Sequence, residues 1–153
     1  MRRQGLLGLW ALLAITDAGF VLYWSVTALA ALGVLAIPPA YLYRGYHDPL
    51  LVAWNWSFAP LDLAASATGL AALSALRTAR AWSGLAIVSL SLTSAAGGMA
   101  IAFWAISGDF DLVWWSANLF LLAWPLFYLP SLIESARDRP ARECRGGEGS
   151  GAI

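Results

Sequence analysis

Four long stretches of the chain, residues 6–30, 50–76, 83–106 and 112–133, are predominantly apolar, and short connections separate the last three of them. Each meets or exceeds the roughly 20 residues that a helix needs to cross a hydrocarbon core about 30 Å thick. A backbone in hydrocarbon must satisfy its own hydrogen bonds, which an apolar run of this length does as a helix. The expected fold is therefore all-α, an integral membrane four-helix bundle built as one domain over residues 1–134. The first run stays apolar as far as Ile37, and Pro38-Pro39 halts any helix there. Its end reads as an interfacial extension or the end of a tilted helix. A cleaved signal peptide is the rival reading, because Arg2-Arg3, an apolar run and Ala28-Leu29-Ala30 imitate its three regions. The run is longer than the roughly 7–15 residues of a signal core and contains Asp17, which argues against that reading.

Composition strengthens the membrane assignment. Hydrophobic residues make up 60% of the 153 positions and charged residues 12%, about half the roughly 25% of a soluble domain. All nine basic residues are arginines, and the proposed spans place eight of them on one side. These are Arg2 and Arg3, Arg77 and Arg80, and Arg137, Arg139, Arg142 and Arg145, whereas Arg44 stands on the other side with Asp48, Asp109 and Asp111. By the positive-inside rule both termini are cytoplasmic. The formal net charge of zero hides this sidedness, and no basic surface for nucleic acid is expected. Residues 135–153 mix charges with Gly and Ser and are expected to form a disordered cytoplasmic tail.

Two aspartates interrupt the apolar runs. Asp17 lies ~16 Å into the first helix from the cytoplasmic side and Asp62 ~18 Å into the second from the outer side, at 1.5 Å per residue. Both reach the midplane, where ionisable residues mark functional sites by default. As a pair they can share or relay a proton, and as structural groups they can pair with a serine, an asparagine or an indole N–H. Helical spacing puts Trp10, Leu13, Phe20, Val21 and Trp24 on the face of Asp17, and Asn55, Phe58, Ser66 and Gly69 on the face of Asp62. Asn118, ~9 Å below the outer end of the fourth helix, and Asn55, ~8 Å below that of the second, can line one cavity above the aspartates. Amides also stitch membrane helices together at roughly 0.6–2 kcal/mol each. Pro60, Pro125 and Pro130 interrupt the same two helices and free backbone carbonyls. The outer half thus reads as a polar-floored pocket with Trp24, Trp54, Trp56 and Phe58 as walls, while Trp104, Trp114 and Trp115 read as an interfacial belt.

The third helix is different in kind. It pairs Thr93 with Gly97 and Ser94 with Gly98 in small-xxx-small register, the mark of a packing helix, and the Gly97 and Gly98 face also offers itself to a homodimer. Cofactor signatures do not appear. Cys144 is the one cysteine and falls in the tail, so neither a disulfide nor a thiolate metal cluster is expected in a monomer. The one histidine, His47, stands beside Asp48 and reads as a base, a pH sensor or a solvated loop residue. No cofactor and no metal are expected, and the reading leans away from an enzyme.

Several strings carry a family resemblance. Thr16-Asp17-Ala18-Gly19-Phe20 with Tyr23-Trp24, the run from Tyr46 to Phe58 followed by Pro60-Leu61-Asp62, and Phe103-Trp104-Ala105 with Gly108-Asp109-Phe110-Asp111, Trp114-Trp115 and Asn118-Leu119 resemble the YvaD-like family of small bacterial four-span membrane proteins. The resemblance covers nearly everything up to Pro130 and implies a multi-pass protein of the bacterial plasma membrane, without an activity. At the level of fold alone, four spans with carboxylates on the first two are similar to the EXPERA group, which includes sterol isomerases and the sigma-2 receptor. That likeness implies an intramembrane pocket for amphipathic amines or sterols, with Asp17 and Asp62 holding the ligand and Asn55 and Asn118 orienting it. Three functions follow as expectations: a small-molecule binding protein, isomerase-like in one variant; a proton-coupled transporter acting as a dimer; and an accessory or structural subunit. The expected partners are the lipid bilayer and a small amphipathic or cationic ligand.

Overall fold

In a computed structural model the chain folds into five helical segments, and among the described residues there is no strand. The structure describes residues 3–38, 45–75 and 82–147, the side chains of 3, 4 and 138–147 excepted. Helix α1 is Arg3–Ala31, α2 Pro49–Ser57, α3 Ala59–Ser74, α4 Trp82–Ile106 and α5 Leu112–Gly147. Three helical stretches are long and apolar enough to cross a membrane: Gly5–Ala31, Trp82–Ile106 and Leu112–Arg137. The arginines expected between the second and third spans, Arg77 and Arg80, and Arg44 lie outside the described residues.

The second expected span is two helices instead of one. Asp48 caps α2, its carboxylate accepting from Leu50 N–H at 2.8 Å, with Pro49 in the first turn. Asp48 is therefore engaged with the backbone and not with His47, whose ring lies against Tyr46 with centroids 3.7 Å apart. The α-helical ladder lapses at Phe58, whose N–H tightens to Asn55 O at 3.1 Å, and α3 restarts with Pro60 in its first turn. Proline has no N–H to give the Trp56 carbonyl and its ring crowds that carbonyl, so the helix breaks here. Together the two segments cover 49–74, about 39 Å if laid end to end.

Other ends differ from expectation as well. Helix α1 stops before the two prolines, because Gly33 takes φ 71° and Val34 N–H turns back to Leu29 O at 3.0 Å. This is the left-handed closure that glycine adopts without a Cβ penalty. Helix α5 passes Ile133 and runs to Gly147, across part of the segment 135–153 for which disorder was the expectation.

Adjacent helices run antiparallel. Trp24 meets Asp62 and Asp17 meets Gly69 between α1 and α3, while Ser94 Oγ donates to Leu122 O at 3.0 Å between α4 and α5. Gly97 lies against the backbone of α5: a Cβ there would stand 2.6 Å from Asn118 O and from Leu122 N. The Gly97 and Gly98 face, also offered above to a second copy, is thus occupied within the chain by α5. Leu9, Leu13, Ala72, Ala86, Leu90, Trp124 and Leu132 pack at the end holding the start of α1, and Trp24, Phe58, Ala96 and Ala100 toward the opposite end.

Candidate functional site

The break at Phe58 gives the site its shape. Between α1, the α2–α3 break, α4 and the start of α5 lies a cavity of about 150 Å³, lined by Phe20, Tyr23, Trp24, Trp54, Asn55, Phe58, Asp62, Ala96, Ala100, Trp114, Ala117, Asn118 and Leu121. The small side chains of α4 leave the volume, and aromatic rings from the other elements wall it. Trp54 stacks on Phe103 with centroids 4.2 Å apart and meets Phe58 and Trp104 edge-on, which ties α2 to α4.

Polar atoms inside this wall are few and specific. Asp62 is 6% exposed; its Oδ2 accepts from Trp24 Nε1 at 2.9 Å, and its Oδ1 has no partner. Asn55 is 5% exposed; its Oδ1 accepts from the Tyr23 hydroxyl at 2.9 Å, and its Nδ2 has no partner. Asn118 donates from Nδ2 to Trp114 O, one turn back on its own helix, at 2.8 Å. Buried polar groups without partners are uncommon, because each forfeits about 1–3 kcal/mol of hydration. Asp62 and Asn55, whose side chains line the same small space, therefore keep one unmatched acceptor and one unmatched donor within its walls. A ligand that both donates and accepts, or a cation with an adjacent acceptor, satisfies both.

Asp17 stands apart from this cavity, in contrast to the shared floor drawn from equal depth. Trp24, two turns further along α1, is the residue that reaches Asp62, so Asp17 lies about 10 Å away along the helix axis. There it packs against Gly69 so closely that a Cβ on the glycine would collide with its carboxyl and stand 2.7 Å from Ser89 Oγ. The Asp17 side chain is fully buried, both carboxyl oxygens and Ser89 Oγ lack partners, and the Ser66 hydroxyl donates to the Asp17 backbone carbonyl at 3.2 Å. The two aspartates occupy two separate polar sites on one helix pair.

Among the other candidate residues, Asn55, Asp62, Asn118, Trp24, Trp54 and Phe58 all line the cavity. Trp104, read as part of an interfacial belt, is 9% exposed and packs inside against Trp54, and Trp114 lines the cavity. Six lining residues, Tyr23, Ala96, Ala100, Trp114, Ala117 and Leu121, escaped the sequence reading as site members. Tyr23 carried a signal, being three positions after Phe20 on the same helical face, and Trp114 precedes Asn118 by one turn. No group of three or more His, Cys, Asp or Glu side chains able to hold a metal occurs among the described residues.

Comparison with known proteins agrees with the strings that carry the resemblance. Residues 9–139 match the family described as "Family of unknown function (DUF5360)". The chain is 45% identical over 124 residues to the "Uncharacterized protein YvaD" of Bacillus subtilis (strain 168), an alignment that spans 80% of this chain and 90% of that protein. No solved structure matches it. With the family match running from Leu9 in α1 through the helix break to α5, and taking in both aspartates and both asparagines, the chain belongs to the DUF5360 family of YvaD-like proteins.

Proposed function

We propose that this protein is a multi-pass protein of the bacterial plasma membrane that binds the polar head of a small amphipathic ligand, cationic or hydroxylated, in the cavity at Asp62. The α2–α3 pair acts as the fourth crossing, and both termini face the cytoplasm. Large apolar side chains pointing outward support the membrane setting: Ile15 is 70% exposed, Leu22 66%, Ile106 87% and Phe127 82%. Contiguous apolar surface of this kind is rare on a protein in water.

The observation that carries the ligand reading is the pair of unmatched buried atoms, Asp62 Oδ1 and Asn55 Nδ2, inside an aromatic wall. A cation placed there gains the carboxylate and the surrounding rings of Trp24, Trp54 and Trp114, the residue type that best attracts ammonium groups. A volume of about 150 Å³ matches a cavity that holds benzene and falls short of the roughly 300–1,000 Å³ of pockets that bury whole drug-sized ligands. The size favours a head group and disfavours a whole sterol. Mass spectrometry of small molecules co-purified with the wild type and with Asp62→Asn tests the reading. An amphipathic amine or alcohol enriched only in the wild type supports it, and identical bulk lipids in both overturn it.

Asp17 favours a second reading. A fully buried carboxyl without a partner, two turns from the cavity, is the kind of group with which a transporter exchanges protons. Under that reading Asp17→Asn abolishes pH-driven flux in proteoliposomes.

A further inference from the structure

A second concavity, of about 640 Å³, lies on the other side of Tyr23, between the second half of α1, α2 and the turn at Tyr46. Its walls include Leu22, Val26, Val52 and Trp56, and it is open to the surroundings, Leu22 being 66% exposed. Tyr23 lines both spaces and, through its hydrogen bond to Asn55, forms part of the partition between them. The Trp24 and Trp56 rings, 5.5 Å apart and tilted by 47°, stand on the two sides of the same partition.

The geometry points to a two-part ligand site: the cavity takes a polar head, and the groove takes the alkyl or acyl tail of the same molecule, with Tyr23 at the junction. This inference rests on the head-group reading above. Three features lead to that occupant. The cavity is too small for a whole amphipath, whereas the groove falls in the range of pockets that bury most of a ligand. The groove is mostly apolar and opens outward at Leu22, which is 66% exposed. Both spaces meet at one tyrosine whose hydroxyl is held by Asn55, the residue with the unmatched donor. Tyr23 is thus the side chain that a two-part ligand must pass, and its movement releases Asn55 Oδ1 to the ligand.

Photolabelling in nanodiscs of neutral lipid tests this. One probe is an alkyl-substituted benzylamine with a diazirine at the end of the tail, and a second carries the diazirine on the ring. The tail probe is expected to label the segment around Leu22 and Val26 and that around Val52 several-fold above the outward-facing Leu7, Met99 and Phe127, and excess benzylamine removes that labelling. In Val26→Trp, which fills the groove from a helix face outside the cavity, tail labelling is lost while ring labelling near Trp24 and Trp54 persists. Ala30→Leu is the milder variant and lowers tail labelling in the same direction. Tail labelling spread evenly over outward-facing residues, with ring labelling intact, overturns the groove and leaves the head site standing. Loss of both localisations in the wild type overturns the head site as well.

Discussion

Adding one methyl group at Gly97 and one at Gly98 should have opposite consequences, though the two residues are neighbours on α4. A Cβ at Gly97 stands 2.6 Å from Asn118 O and Leu122 N and 3.0 Å from Leu121 C, all backbone atoms of a continuous helix, while ordinary contact begins at 3.4 Å. Helices α4 and α5 must separate by most of an ångström to admit it, an overpacking that costs about 1–3 kcal/mol. A Cβ at Gly98 meets Leu122 Cδ1 at 3.4 Å, the far end of a flexible side chain, and is accommodated in place. Both substitutions gain the same helix propensity, about 1 kcal/mol, so the difference between the two variants isolates the contact. Gly97→Ala should be less stable than Gly98→Ala by about 1–3 kcal/mol, or roughly 2–12 °C in Tm for a chain of this size. Thermal unfolding of the two variants in the same detergent, followed by circular dichroism, measures it. Because Asn118 lies at the displaced contact and also lines the cavity, Gly97→Ala should weaken head-group binding as well. Equal stabilities, or a less stable Gly98→Ala, would refute the close α4–α5 crossing on which the cavity wall depends.

Other consequences follow from single contacts. Trp24→Phe keeps an aromatic ring, though a smaller one, but leaves both oxygens of Asp62 without partners, so it should destabilise the protein by about 1–3 kcal/mol in detergent unfolding and lower affinity for a cationic probe. Gly69→Ala drives a methyl group into the Asp17 carboxyl; a double-mutant cycle with Asp17→Ala should return a coupling of about 0.5–3 kcal/mol, and additive effects would mean the two residues are not packed together. Cys144 should react with a membrane-impermeant maleimide only after the membrane is opened, while Ser107→Cys in a Cys144→Ser background should react in intact cells; the reverse pattern would invert the topology.

How far the chain could be read without its fold differs from element to element. The apolar runs were legible because hydrocarbon imposes length and uniformity on any segment that crosses it, and Asn55 and Asp62 sit seven residues apart, so either side of the break they face the same space. The break itself was signalled by Pro60, yet a proline inside a span also permits a kink, and the tightened turn at Phe58 decides between the two. Helix register was not legible. Counting from apolar boundaries aligned Asp17 with Asp62, whereas packing of the Asp17 carboxyl on the bare face of Gly69 shifts α1 by two turns and hands Asp62 to Trp24. Tryptophan position was ambiguous for a similar reason: an indole suits an interface and an interior alike, and Ala96 and Ala100 on α4 make the space beside Trp54 and Trp104 that neither tryptophan announces.

The central claim is that Asp62 holds the polar head in the cavity, and binding of a cationic head tests it best. Isothermal titration of the wild type and Asp62→Asn in nanodiscs, with benzylamine and its uncharged isostere ethylbenzene, compares charge at constant size. The wild type should prefer benzylamine over ethylbenzene by about 30-fold or more, since losing one member of a buried, hydrogen-bonded charge pair costs about 2–5 kcal/mol, and Asp62→Asn should erase that preference while still binding ethylbenzene. Equal affinity of the wild type for the two compounds, or a preference for benzylamine that survives in Asp62→Asn, would contradict the account.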